Sequence, residues 1–361
     1  MLQLLEEYYR QNLSISRFIS RKSTLDDRST YLYGVAQSGK TALIKHYLLT
    51  CKKNSYLYLD CRDLRLDADM FNRSIDLFCL ERGITIVALD NYVPKFKAPR
   101  VTQLILSGEQ LLEIPQRHFR PLQIRPLDYE EFLAYEPKYD STALNHFLQL
   151  GGYPAMHALA ADQRTLYIQQ MLSQALSPME LKIIGVIANN SAVKLSAYSI
   201  YERLKHEQRI SKDKLYKEVV ALIEKKYIYE VSKFAHERAI KKLYLCDIAI
   251  KNALTIQKHF GRLFENLVFL EMHKRHFEIF YVENIDFYLP QHQRIVLCMP
   301  FGAQDALFKK IESIESFIIA HNIVHVEVVT VSSEGSLQHP FVSVQMLPFS
   351  EWAIIEGEEE L

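Results

Sequence analysis

The sequence predicts an α/β protein: a mostly parallel sheet bearing a phosphate-binding loop, then a helical unit, then a smaller α/β unit. Three observations predict it. Strand-like apolar stretches alternate with helix-like ones between residues 30 and 127, the pattern of βαβ units. Gly34, Gly39, Lys40 and Thr41 fit G-x-x-x-x-G-K-[ST] without a gap. From Asp128 the pattern turns helical, and beyond residue 255 helix and strand alternate again. At 361 residues the chain exceeds one ordinary core, so two or three domains are expected.

Each element has its own signal. Residues 1–20 read as an amphipathic helix, with Leu4, Leu5, Tyr8 and Leu13 roughly in helical register. "TYLYG" (30–34) reads as a buried strand and 40–52 as the helix after it. "SYLYLDCRDL" (55–64) is a second strand, followed by a polar helix over 67–82. "ITIVALD" (84–90) is the cleanest buried strand, and 101–108 and 119–127 are further strands. Ser177 before Pro178 starts a helix over 177–190. Helical stretches over 196–209 and 211–231, a polar turn and the strand "LYLCD" complete a winged-helix order. A helix at 261–275, strands at 278–289 and 294–298, a helix at 303–321 and a strand at 324–331 form the last α/β unit. The acidic end "EGEEEL" reads as frayed.

Composition narrows the partners. Apolar residues make up 48% and charged residues 24%, as in a soluble globular protein. Lys plus Arg and Asp plus Glu are 43 each, so no global basic field draws the chain to nucleic acid or anionic lipid. Five cysteines, at 51, 61, 79, 246 and 298, form no CxxC pair, which favours free thiols in a reducing compartment. No apolar run approaches a membrane span, and the N-terminus carries acidic residues early, unlike a signal peptide. The expectation is a cytoplasmic protein with no membrane partner. The histidines are scattered, without an H-E-x-x-H pair.

The chemistry centres on the loop. Gly34 lets the chain leave the strand, and Gly39 lets amides from Gln37 and Ser38 to Thr41 turn inward as an anion nest. The helix running on through Ala42 aims its N-terminal dipole at the same phosphates. Lys40 is placed for the β- and γ-phosphates and the Thr41 hydroxyl for Mg²⁺. Asp90, ending a buried strand, is the second metal candidate; a helix cap or turn is its plainer role. Asn91 stands where many such ATPases have Glu. An amide orients water but takes no proton at neutral pH, so hydrolysis is expected to be slow. Ser107, at the end of the neighbouring strand, reads either as a γ-phosphate or water contact or as a turn residue.

Read in order, Gly34–Thr41, "YLYLDCRDLRL", "ALDNY", "ILSGEQ", "RPLDYEEFL" and "GGYPA" resemble the bacterial and archaeal AAA-type P-loop ATPases of the DUF4143-associated and archaeal-ATPase kind. The resemblance implies an AAA-like P-loop NTPase sheet with a helical lid, a winged helix, and a restriction-endonuclease-like (PD-(D/E)xK) domain. It places these at 1–165, 166–252 and 253–335, with a tail at 336–361. It also implies ATP rather than GTP, with Mg²⁺. Here the nuclease motif is incomplete: Glu265 and Asp286 fit two roles, but "RIVLCMP" offers neither acid nor Lys, so metal-dependent cleavage is not expected. The two acids also read as a helix-surface acid and a turn acid.

Partner surfaces remain open. Lys212, Lys214, Lys217, Lys225 and Lys226 cluster in the third helix of the winged-helix order, where lysines can meet DNA phosphates. Asp213, Glu218 and Glu224 interleave with them, so a solvated face or a protein contact competes. His236, Arg238, Lys241 and Lys242 read as a basic wing or as turn residues. Arg117, Arg120 and Arg125 either reach a neighbour's nucleotide in a homo-oligomer or pair at the surface. The functional expectation is a weak ATPase acting as a nucleotide-dependent switch. The alternative is a non-catalytic scaffold binding nucleic acid or protein, with structural nucleotide.

Overall fold

The computed structural model describes residues 1–15, 18–113, 118–136, 142–206, 210–256, 259–275, 278–302 and 304–358, with side chains to residue 354. It divides into two units, Met1–Pro126 and Leu127–Leu361. The division falls before the position 165 expected from the sequence, because residues 127–158 are built into the second unit.

The first unit runs α1 (Leu2–Arg10), β1 (Thr30–Tyr33), α2 (Lys40–Thr50), β2 (Tyr56–Asp60), α3 (Ala68–Arg82), β3 (Ile86–Asp90), β4 (Gln103–Gly108) and β5 (Arg120–Gln123). All strands are parallel, in the order β2-β3-β4-β1-β5. Successive side chains point to opposite faces, and both faces are covered. Tyr31, Leu57, Leu59, Val87, Leu89, Leu104 and Leu106 pack with Leu5 of α1 and Phe71, Ile75 and Phe78 of α3. Leu32, Tyr58, Ala88 and Ile105 pack on the other face with Leu43, Ile44 and Leu48 of α2. Buried on both sides, β1–β4 are apolar almost throughout, which is why they were legible.

The first helix stops at Arg10 rather than residue 20. Leu5 serves the α3 face while Leu13 packs on the α2 face, so one straight helix cannot supply both. Likewise β5 ends at Gln123, short of residue 127, with Pro126 just beyond.

The second unit begins with α4 (Tyr129–Leu133), α5 (Thr142–Leu150), a 3₁₀ turn (Pro154–Ala158), α6 (Ala161–Ala175) and α7 (Pro178–Asn189). It continues with β6 (Val193–Lys194), α8 (Ala197–Leu204), α9 (Lys212–Glu224), β7 (Ile228–Lys233), β8 (Lys242–Leu245) and α10 (Ile248–Leu254). Then come α11 (Phe260–His273), β9 (Phe280–Val282), β10 (Ile285–Leu289), β11 (Arg294–Cys298), α12 (Gln304–Ala320), β12 (His325–Thr330), β13 (Gly335–His339), β14 (Val342–Pro348) and α13 (Phe349–Glu358). Its strands form one mixed sheet, β13-β14-β12-β11-β10-β9-β7-β8-β6. The stretch 211–231, read as one helix, is split: Lys226 takes φ 65°, and the β-prone residues after it form β7.

"GGYPA" has a structural role. The Asp247 carboxylate accepts from the Gly152 amide (2.7 Å) and the Ala249 amide (2.7 Å), which caps α10. A Cβ on Gly151, at φ +66°, would lie 2.1 Å from Asp247 Oδ1, so the bend closes only around glycine. Burial pushes the Asp247 carboxyl up to about 7, against the pull of its two backbone hydrogen bonds.

The tail expected at 336–361 is instead part of the sheet. β14 pairs with β12 and β13, and Val344 and Met346 join the α12 core. Phe349 and Trp352 of α13 are buried, and Trp352 Nε1 donates to Glu327 at 2.7 Å. The acids ending the chain masked this anchor; residues 359–361 lie outside the described residues. Trp352→Ala is expected to destabilise the protein by about 3–5 kcal/mol, read from urea unfolding followed by circular dichroism.

Candidate functional site

The loop between β1 and α2 is bent by three left-handed residues: Gly34 (φ 143°), Gln37 (φ 59°) and Gly39 (φ 103°). Alternation of this kind turns successive amides toward one concavity. Gly34 is obligatory, because a Cβ there would lie 2.2 Å from the Ile124 carbonyl oxygen. Gly39 caps α2 without a side-chain hydrogen bond, and no acid sits in the first turn. By contrast α3 takes its cap from the Asp67 carboxylate. The first amides of α2 are thus left without a side-chain cap, as an anion site requires.

Lys40 is buried, and its ammonium donates to the Gly34 and Val35 carbonyls, both at 2.8 Å. Burial lowers its pKa to about 8, partly offset by the charges of Glu109 and Asp90. Ser38 is fully buried, and its hydroxyl has no hydrogen-bond partner. Arg21 braces the loop, donating to the Ser38 and Arg125 carbonyls at 2.8 and 2.7 Å.

Asp90, only 1% exposed, gathers the strand ends. Its Oδ2 accepts from the Thr41 hydroxyl (2.6 Å) and the Tyr58 hydroxyl (2.8 Å). Its Oδ1 accepts from the Ser107 hydroxyl and from the Asn91 amide (3.2 Å). The Ser107 oxygen also accepts from the Asn91 amide at 3.0 Å. Burial, with the Asp90 charge beside it, raises the Tyr58 hydroxyl pKa. Asn91 adopts φ 54°, and its side-chain amide donates to Asp60 Oδ1 at 2.9 Å.

The structure therefore brings together Lys40, Thr41, Asp90, Asn91 and Ser107, with Ala42 in the first turn of α2. Three groups were missed by sequence reasoning: Tyr58, Asp60 and Glu109. A signal was present, since "YLYLD" puts Tyr58 and Asp60 on one strand face, with Asp60 in register with Asp90. Thr41 and Asp90 offer hard oxygen donors side by side, a donor set that suits Mg²⁺. Among the described residues no group of three or more His, Cys, Asp or Glu is placed to hold a metal ion.

The other candidates are redistributed. Glu265 is not a freely solvated helix-surface acid: it is half-buried and accepts from Lys242 Nζ and the Tyr244 hydroxyl, both at 2.8 Å. Burial raises its carboxyl pKa, with Lys242 pulling the other way. Asp286 accepts from the Cys298 amide at 2.8 Å. The cation beside these acids is thus the Lys242 ammonium, so Lys242 is no part of a basic wing, and Lys241 pairs with Glu230. His236 and Arg238 remain exposed near the hairpin tip. On α9, Lys212, Lys214 and Lys217 are exposed, with Lys212 Nζ 5.0 Å from the Tyr198 ring centre. Lys225 is withdrawn into an ion pair with Glu180 at 2.6 Å. Arg120 pairs with Asp26 (3.0 Å) and Arg125 donates to Gln123 (3.1 Å), while Arg117 lies outside the described residues. All five cysteines are unpaired. No described helix is long and apolar enough to cross a membrane.

No family model matches the chain. It is 23% identical to the uncharacterized protein MJ1544 of Methanocaldococcus jannaschii over 430 aligned positions, covering 97% of this chain and 95% of that protein. Two solved structures are similar at low identity and low TM-score. The Aeropyrum pernix ORC1 protein in complex with DNA shows 13% identity and a TM-score of 0.30, covering 63% of this chain and 86% of that one. Drosophila ORC bound to DNA shows 13% identity and a TM-score of 0.22, covering 67% and 90%.

Two outcomes are expected. Gly34→Ala forces a clash at a left-handed residue and should lower stability by roughly 2 kcal/mol or more, measured by chemical denaturation. Between about pH 8 and 10.5 the folded chain has released the Lys40 proton that the unfolded chain still holds. Stability attributable to Lys40 therefore rises with pH across that window. Thermal melts of wild type and Lys40→Met should converge or cross in that direction as pH is raised.

Proposed function

We propose that this chain is an ATP-binding protein of the AAA type, with slow or regulated hydrolysis, working as a nucleotide-dependent switch. One observation carries the reading: Lys40 sits inside a loop of left-handed turns while Thr41 meets Asp90 at 2.6 Å. Phosphates would take the loop amides, the first turn of α2 and the Lys40 ammonium. Mg²⁺ would be held by Thr41 and Asp90, directly or through water, and would neutralise charge on the phosphates. The strand order supports the same reading, since β4 lies between the loop strand β1 and the Asp90 strand β3. Ser107 lies where it positions Asp90 and Asn91.

In the second unit we read α7–α9 with β6–β8 as a winged helix and the elements from α11 onward as a nuclease-like domain without cleavage activity. The half-buried Lys242–Glu265 pair supports the latter, because an ammonium paired at 2.8 Å stands beside the acids that a catalytic metal would need. Contact with duplex DNA through Lys212, Lys214 and Lys217 is part of the proposal, as is function in a reducing, cytoplasmic compartment. Asn91 favours a second reading, a scaffold in which nucleotide is structural; phosphate release above background separates the two.

Mg·ATP should raise the melting temperature of the wild type, and Lys40→Ala should abolish that shift while keeping the circular dichroism spectrum. A labelled duplex should bind with an affinity that falls as salt rises. Lys214→Ala with Lys217→Ala should weaken binding and reduce the salt slope by about 2, read by fluorescence anisotropy.

A further inference from the structure

We propose that Asp60, at the end of β2, holds the water that attacks the γ-phosphate. The inference rests on the hydrolysis reading above and names the carboxylate for it. Asp60 and Asp90 are register partners across the β2–β3 pair, so both acids stand at the same end of adjacent parallel strands. Tyr58, two residues earlier on the same strand face, reaches Asp90 at 2.8 Å. That face of β2 is the one packed toward α2, the helix that begins with Lys40 and Thr41.

Asn91, in the position after Asp90, is committed to Asp60. Its amide donates to Asp60 Oδ1 at 2.9 Å, and its left-handed backbone is fixed by the amide contacts to Asp90 and Ser107. The backbone amide and Nε of Arg62 also meet Oδ1, at 3.0 and 3.3 Å. Oδ2 accepts from Arg62 Nη2 at 3.1 Å. The Arg62 side chain is 70% exposed, and an exposed pair opens at small cost. Burial would raise the Asp60 carboxyl, but the Arg62 and Asn91 hydrogen bonds outweigh it and keep it below its ordinary value. Asp60 is then an acceptor at neutral pH.

In the step, water donates a hydrogen bond to Asp60 Oδ2, and its oxygen forms a bond to the γ-phosphorus. The bond from that phosphorus to the β–γ bridging oxygen breaks, and its electron pair leaves with ADP. The water proton passes to the Asp60 carboxylate and then to the released phosphate.

The test uses the full chain with Mg·ATP, measuring phosphate release and, separately, binding by calorimetry. Asp60→Asn should lower kcat about 100-fold, while KM and binding change less than about threefold. Adding Asn91→Asp to that variant moves the carboxylate across the same hydrogen bond and should restore at least about a tenth of the lost turnover. Wild-type turnover in Asp60→Asn overturns the assignment and leaves nucleotide hydrolysis standing. A loss that Asn91→Asp does not rescue also overturns it. Mg·ATP binding without wild-type turnover overturns both this assignment and the hydrolysis reading.

Discussion

One buried carboxylate organises the first unit. Asp90 accepts hydrogen bonds from α2, β2, β4 and its own following residue, so four segments meet at two oxygen atoms. A charge this deep is tolerable only when its acceptor sites are filled. The sheet supplies that by ending three adjacent strands at the same level. Thr41 in the first turn of α2 and the left-handed Asn91 are both held in that convergence.

The loop and its neighbours differ in how much sequence reveals. Gly34, Gly39, Lys40 and Thr41 are visible because their spacing is dictated by backbone geometry within one short segment. Asp90 is visible because an acid ending an apolar run is conspicuous. Asp60 and Tyr58 share a strand face in "YLYLD", but their bearing on the site comes from the register of β2 against β3, which local pattern does not encode. The role expected for Asn91 is likewise altered by a cross-strand partner.

In the second unit, element types were largely legible and boundaries less so. The split between α9 and β7 turns on a single left-handed Lys226 in a stretch of good helix formers. β13, β14 and α13 went unseen because an acidic end outweighed the alternation in "FVSVQML" and the lone Trp352. Glu265 misled in the same way. An acid on a helix reads as solvated unless a partner from a distant strand, here Lys242, takes it inside.

The parallel pairing of β7 with β9 spans only Ser232–Phe280 and Lys233–Tyr281, yet it joins the hairpin strands to the C-terminal strands in one sheet. The Phe234 amide extends the seam to the Tyr281 carbonyl at 3.0 Å. Two sheets that would otherwise swivel as separate plates are welded edge to edge. A torque applied at β8 must therefore twist the whole blade through to β13, and the seam is where such a load would concentrate.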